Sequence, residues 1–104
     1  MISIPVQIVK FIGDPDRGVV ECRFADADGN VHVFVEKSEV VSVEPLSANS
    51  FFPRAGVMAC DVEADFKDKQ GRKLSRVTTE RPWHIKSVEG KSVFEVLSTQ
   101  VLRL

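Results

Sequence analysis

The chain has 104 residues, of which 43% are hydrophobic and 28% are charged, and its formal net charge is −1. This length predicts one domain, residues 1–104, with a core large enough to need no disulfide or metal. The balanced charge argues against nucleic acid and against an anionic membrane as partners. No apolar run approaches the ~20 residues of a membrane span, and no basic leader with a cleavage site is present, so we expect a cytoplasmic protein.

Residues 2–12 are the first predicted strand, because apolar and polar side chains alternate along them. Ile4 and Ile8 belong to the set expected to face the core. Pro5 has no N–H to donate, and this favours an edge strand or a bulge.

Two further strands are predicted over residues 19–26 and 31–37. The second of these has apolar residues on both faces. The side chains expected to face the core are those of Val31, Val33 and Val35. His32 and Phe34 would then lie on the opposite face.

Residues 43–55 show no period and contain two prolines and a Ser/Asn cluster. They predict a long loop that divides the strands into two subsets, and loops of this length are often functional. Strands follow over residues 57–66 and 72–80, and a last hairpin joins 84–87 to 91–97. The tail is too short to decide between a helical turn and a strand.

Three similar turns separate predicted strands, and each ends in a glycine: Gly29, Gly71 and Gly90. Asp26, Asp68 or Ser87 begins each turn, where a polar side chain can bind the backbone two residues on. A type I turn followed by a glycine with positive φ is a favoured hairpin connection. We therefore predict an all-β fold: an antiparallel meander of six to seven strands forming a small barrel or strongly bent roll.

Charge is distributed unevenly along the chain. Residues 1–66 contain 5 Lys or Arg and 11 Asp or Glu, a net charge of −6, whereas residues 67–104 contain 9 and 4, a net charge of +5. One interpretation is that the two oppositely charged halves pack together. The other is that a basic hairpin face meets an acidic partner.

No motif in the chain predicts catalysis, a cofactor or a metal. The possible zinc ligands Cys22, His32, Cys60 and His84 lack the short spacings of structural sites. Asp61, Glu63 and Asp65 share one predicted strand face, which is typical of a solvated surface. We therefore expect no catalytic residues, no cofactor and no enzymatic activity. Both cysteines lie among apolar strand residues, and we expect them to be buried free thiols.

A basic stretch offers an alternative function. The residues concerned are Lys67, Lys69, Arg72, Lys73, Arg76, Arg81, Lys86 and Lys91. Small barrels bind single-stranded nucleic acid with basic grooves and stacking aromatics. Here Trp83 is the only aromatic residue within the basic stretch, and the chain has no tyrosine.

Aromatic and arginine side chains outside the periodic strands are the predicted binding site. Phe51, Phe52 and Arg54 lie in the long loop or at its end, and Arg81, Trp83 and His84 follow the bend at Pro82. Aromatic residues and arginine are common anchors in protein interfaces. We expect these six residues to lie together at one end of the barrel, either as plugs of the core or as a recognition patch.

Several segments resemble a group of small bacterial single-domain β proteins with no assigned function. The segments are Val20-Glu21-Cys22, Phe34-Val35-Glu36-Lys37, Val40-Val41-Ser42, Gly56-Val57-Met58-Ala59-Cys60 and Thr79-Glu80-Arg81-Pro82-Trp83. The resemblance covers nearly the whole chain. It implies a bacterial, cytoplasmic protein of one domain and supplies no catalytic residues.

The sequence thus favours a small interaction module that binds a protein or peptide partner. The alternative is a small β-barrel that binds nucleic acid. The sequence does not indicate the oligomeric state.

Overall fold

A computed structural model describes all residues, 1–104, and contains eight strands. The strands are β1 (Ile2–Phe11), β2 (Val19–Ala25), β3 (Val31–Lys37), β4 (Arg54–Ala59), β5 (Asp61–Lys67), β6 (Lys73–Thr78), β7 (Val93–Leu97) and β8 (Leu102–Arg103). One helical turn, α1 (Ser38–Val41), follows β3, and single 3₁₀ turns cover Pro15–Arg17 and Ser98–Gln100. The tail therefore contains both structures that the sequence left open, a helical turn and a short strand.

The strands form two antiparallel sheets. The first has the order β3-β2-β1-β4, with β8 also pairing with β1, and the second has the order β5-β6-β7. The all-β antiparallel class is confirmed. The sheets do not join into a closed barrel, because β5 pairs only with β6 and no ladder connects the two sheets.

Pro5 lies in an inner strand and not at a sheet edge. β1 pairs with β8 at Ile2 and Ser3 and with β2 from Gln7 onward. Pro5 is between these two stretches, where neither β8 nor β2 faces it. A residue without an N–H is tolerated at such a gap, because no carbonyl is left without a donor.

The three glycine turns have the predicted conformation. Gly29, Gly71 and Gly90 have φ values of 83°, 80° and 84°. Asp26 Oδ1 accepts a hydrogen bond from the Asp28 N–H at 2.9 Å, and Asp68 accepts in the same way. The turns are therefore encoded locally, because glycine adopts positive φ without a steric penalty. The predicted last hairpin is wrong, however, because residues 84–87 form no strand and the third turn joins only one strand, β7.

One hydrophobic core lies between the two sheets. It contains Ile4, Ile8 and Met58 from the first sheet and Val77 and Val96 from the second. Each of these five side chains is fully buried. The core thus holds together two sheets that share no strand ladder.

The predicted facing of β3 is wrong. His32 and Phe34 are buried, with exposed fractions of 7% and 0%, whereas Val31 and Val35 are 53% and 41% exposed. Phe34 stacks on Phe24 with ring centroids 5.7 Å apart. Both faces of this strand are apolar, so its orientation depends on which side chains fit the aromatic cluster of the core.

The sequence predicts one strand over residues 57–66, but the structure has two strands there. These are β4 and β5, and the chain passes from one sheet to the other at Cys60, whose N–H donates to the Ile2 carbonyl at 3.0 Å. The long loop before Arg54 does not separate the sheets, because β4 still pairs with β1.

Ion pairs connect the acidic and basic halves of the chain. Arg72 donates to Asp68 at 2.7 Å within its own turn, and also to Asp28 at 3.1 Å and to the Ala27 carbonyl at 2.7 Å. It therefore links the hairpin tip of the second sheet to that of the first. These contacts support the interpretation that the two halves of the chain pack together.

Both cysteines are free and buried, as predicted. Burial, with a smaller effect of the Glu36 and Glu21 charges, raises the pKa of Cys22 to about 12. Burial and the Asp61 charge raise the pKa of Cys60 to about 11. The reactive thiolate form is therefore disfavoured at neutral pH.

We predict that neither thiol of the native protein reacts with Ellman's reagent at pH 8 on the timescale at which both react in the denatured protein. The thiolate is the nucleophile, and burial both suppresses it and blocks access. Absorbance of the released thionitrobenzoate measures the reaction. Rapid native-state labelling of one or both thiols would contradict the prediction.

None of the helical segments has the length and apolar character required to cross a membrane.

Candidate functional site

The first group of predicted site residues lies where the long loop enters β4. Phe52 packs edge-to-face on Phe11, with ring centroids 5.3 Å apart, so it contributes to packing. Phe51 is 87% exposed. The Arg54 guanidinium is 3.2 Å from a carboxylate oxygen of Glu44. Phe51 is therefore the one aromatic ring of this group that is free to meet a partner.

The second group lies in the turn after β6. Arg81 is 3.1 Å from Asp61 and 3.6 Å from Glu63, both in β5. Trp83 is about half exposed. His84 has a positive φ of 53° and lies 3.1 Å from Glu80. The arginine of this group thus neutralises carboxylates of its own chain.

The two groups do not lie together. Arg54 lies opposite Ile8, near the end of β1. Arg81 binds Asp61, and the residue before Asp61, Cys60, donates a hydrogen bond to Ile2 at the beginning of β1. Because a strand rises ~3.3 Å per residue, Ile2 and Ile8, and with them the two groups of residues, are about 20 Å apart. The expected single patch is therefore not formed. A binding role for either group stays a prediction.

A different surface combines shape and uncompensated charge. A cleft of about 470 Å³ lies between the hairpin of β5 and β6 and the C-terminal segment. We call it the basic cleft; its lining is Asp65, Phe66, Lys67, Lys73, Leu74, Ser75, Ser98, Val101 and Arg103. Three cationic side chains and one carboxylate therefore meet around a partly apolar cleft.

The two lysines of the basic cleft are directly opposite each other. Lys67 of β5 and Lys73 of β6 are cross-strand partners in the ladder that flanks the second glycine turn. Side chains in this position start ~4.5–5.5 Å apart at Cβ, and like charges there are destabilising. Neither lysine takes part in an ion pair, so no direct partner compensates this repulsion.

The arginines elsewhere in the second sheet have partners. Arg72 binds two aspartates, Arg76 is 3.2 Å from Glu95, and Arg81 binds two carboxylates of β5. Arg103, in contrast, forms no ion pair, although it lines the same cleft as the two lysines. The three cations of the basic cleft are therefore among the lysine and arginine side chains of the chain that form no ion pair.

Asp65 forms no ion pair with these cations, because its carboxylate is held by a serine hydroxyl. Ser75 Oγ donates to Asp65 Oδ1 at 2.5 Å, and Ser98 Oγ is 2.9 Å from Ser75 Oγ. Since the single hydroxyl proton of Ser75 goes to Asp65, Ser98 is the donor in the second bond. These two hydrogen bonds, from Ser98 to Ser75 and from Ser75 to Asp65, thus hold the Asp65 carboxylate beside Ser75.

A β-bulge brings Asp65 and Lys67 into the basic cleft. The register of β5 against β6 shifts between Val62 and Ala64. Val62 lies opposite the buried Val77, and after the shift Asp65 lies opposite Ser75. Directly paired residues of two neighbouring strands point to the same face of the sheet. The bulge therefore places the side chains of Asp65 and Lys67 on the same face as that of Val62.

Reasoning from the sequence missed this site because it assumed an unbroken alternation along β5. Asp61, Glu63 and Asp65 do not share a role as a solvated acidic face: the first two bind Arg81, and Asp65 binds Ser75. Lys67 and Lys73 were included only in the basic stretch. Their pairing could have been inferred from the sequence, because Lys67 and Lys73 lie symmetrically on either side of the second glycine turn, and the turn sets the register of the two strands.

The other polar cluster has a structural role. Asp26 Oδ2 is 2.8 Å from His32 Nε2, and Asp26 Oδ1 accepts hydrogen bonds from the N–H groups of Asp28 and Asn30. Burial acts to raise the pKa of Asp26, but these hydrogen bonds outweigh it and hold the pKa below its usual value. The pair closes the first glycine turn, and His32 packs against Phe94 with ring centroids 4.7 Å apart.

No three His, Cys, Asp or Glu side chains are grouped so that they could hold a metal ion. The basic cleft contains no histidine or cysteine, and its serines are bonded to Asp65 or to each other. The charged groups of its lining are therefore three cations and one carboxylate. No family model, curated protein or solved structure matches this chain.

Proposed function

We propose that the protein is a small interaction module whose basic cleft binds an acidic segment of a protein or peptide partner. The observation that carries this proposal is the unpaired cross-strand lysine pair, Lys67 and Lys73, beside the unpaired Arg103. A like-charge pair costs stability in the free protein. An anion placed between the lysines would relieve that cost on binding.

The lining of the cleft supports a polypeptide ligand. Phe66, Leu74 and Val101 supply apolar surface beside the three cations. Interfaces between proteins combine apolar contact with a charged rim in this way. An acidic segment with neighbouring apolar side chains would use both parts.

Nucleic acid is the alternative ligand, because phosphates would also bind the cations. The aromatic ring in the cleft is that of Phe66, which has the Arg76 guanidinium 5.5 Å from its centroid. The net charge of −1 and the absence of a row of stacking rings favour the peptide. A cytoplasmic location belongs to the same proposal and is supported by the two free, buried thiols.

The proposal predicts that changing both cleft lysines to glutamine weakens the binding of an acidic peptide by about tenfold, since each exposed charge contact contributes ~0.2–1 kcal/mol. The probe is a fluorescein-labelled peptide with alternating glutamate and leucine, measured by fluorescence anisotropy. The control is the double change Lys86→Gln and Lys91→Gln, which removes the same charge from exposed loop positions outside the cleft.

Equal weakening by both double variants would contradict a specific site and indicate only general electrostatic attraction. A labelled single-stranded oligonucleotide is titrated in parallel. If it binds the protein more tightly than the peptide does, with a steep loss of affinity on adding salt, the nucleic-acid alternative replaces the peptide proposal.

A further inference from the structure

We propose that the preferred anion of the basic cleft is a phosphate monoester on the partner, as in a phosphoserine or phosphothreonine side chain, and not a single carboxylate. This inference rests on the proposed function and adds the chemical class of the ligand. It follows from the number, arrangement and partners of the charges in the cleft.

The net charge of the cleft matches a dianion better than a monoanion. Lys67, Lys73 and Arg103 carry three positive charges and Asp65 carries one negative charge, so the lining has a net charge of +2. A carboxylate brings one negative charge and leaves one lysine of the opposed pair uncompensated. A phosphate monoester carries about −1.5 to −2 at neutral pH and compensates both.

The cations of the cleft approach it from more than one direction. Lys67 and Lys73 lie across one strand ladder, whereas Arg103 belongs to β8 on another wall of the cleft. The three terminal oxygens of a phosphate monoester accept hydrogen bonds in different directions, whereas a carboxylate has two oxygens in one plane. A tetrahedral anion therefore suits donors that come from separate walls.

Asp65 limits where an anion can lie in the cleft. Its carboxylate accepts a hydrogen bond from the Ser75 hydroxyl, which in turn accepts one from Ser98, and Ser75 is 1% exposed. The negative charge of Asp65 repels any anion that enters the cleft. The anion must then remain near the exposed side chains of Lys67, Lys73 and Arg103, where a group projecting from a partner's surface can reach it.

The test uses three fluorescein-labelled peptides that are identical except for one central residue: phosphoserine, glutamate or serine. We expect the phosphoserine peptide to bind about tenfold more tightly than the glutamate peptide, and the serine peptide to bind most weakly. The double change Lys67→Gln and Lys73→Gln should remove the preference for phosphoserine over glutamate. Circular dichroism verifies that each variant is folded.

A second variant has an effect of opposite sign. Asp65→Asn removes a negative charge but keeps an oxygen that can accept from Ser75, and it should tighten phosphoserine binding at least threefold. A residue with only a structural role would not improve binding when replaced. Weaker phosphopeptide binding by folded Asp65→Asn would overturn the assigned geometry.

The remaining outcomes separate the two proposals. Equal or tighter binding of the glutamate peptide overturns the phosphate preference and leaves the acidic-peptide function standing. If none of the three peptides binds, both proposals fail. If a single-stranded oligonucleotide competes more effectively than the phosphoserine peptide, the phosphates recognised are those of nucleic acid, and both proposals are replaced.

Discussion

Replacing Phe34 by alanine is expected to lower the free energy of unfolding by about 3–5 kcal/mol, which is typical of removing a buried phenylalanine. Phe34 is fully buried. Its ring stacks on Phe24 at 5.7 Å and meets Phe94 edge-to-face at 5.8 Å, so it joins aromatic side chains of both sheets. Truncation removes these contacts and leaves a cavity between the sheets.

The matched control is Val35→Ala on the same strand. Val35 is 41% exposed, so this change should cost less than about 1 kcal/mol. Urea denaturation followed by far-UV circular dichroism measures both variants. A larger loss for Val35→Ala than for Phe34→Ala would contradict the observed facing of β3 and support the opposite one.

Replacing Gly56 by alanine is also expected to be strongly destabilising, although the change adds one methyl group. A Cβ at this position would lie 2.5 Å from the Val41 carbonyl oxygen and 2.8 Å from Ile8 Cδ1. The oxygen belongs to the backbone of α1 and cannot turn aside as a side chain can. The helical turn or β4 must move, and overpacking of this kind costs about 1–3 kcal/mol or more.

The control for Gly56→Ala is Ala55→Ser, at the preceding, exposed position of β4. This change should alter stability by less than about 0.5 kcal/mol. The thermal unfolding midpoint and urea denaturation together measure the difference. Unchanged stability in Gly56→Ala would show that α1 does not pack against β4 as closely as the structure places it.

The basic cleft depends on the same architecture as these core contacts. Its two walls come from separate parts of the chain: the β5–β6 hairpin, and the segment that contains Ser98 and Arg103. β8 reaches the cleft because it pairs with Ile2 and Ser3 of the first sheet. The cleft is therefore formed where the second sheet meets the C-terminal strand of the first.

The sequence indicated the polar groups of the cleft only in part. Lys67 and Lys73 could be recognised as a cross-strand pair, because the turn at Gly71 fixes which residues face each other. Arg103 and Ser98 could not be assigned to the same site. Their positions depend on contacts with residues far away in the chain.

The three glycine turns were determined by the sequence alone. An aspartate or serine that bonds the backbone, followed by a glycine free to take positive φ, specifies such a turn within five residues. Gly29, Gly71 and Gly90 accordingly have the predicted conformation. The first two hairpins, β2–β3 and β5–β6, follow directly from them.

Only the tertiary structure decided which face of β3 is buried, where the sheets separate and which side chains line the cleft. β3 has apolar residues on both faces, and the aromatic rings of Phe24 and Phe94 select Phe34 for the core. The bulge after Val62 reverses the facing of β5, and no local residue pattern specifies it. Each outcome depends on packing between segments distant in sequence, whereas a turn depends on its own few residues.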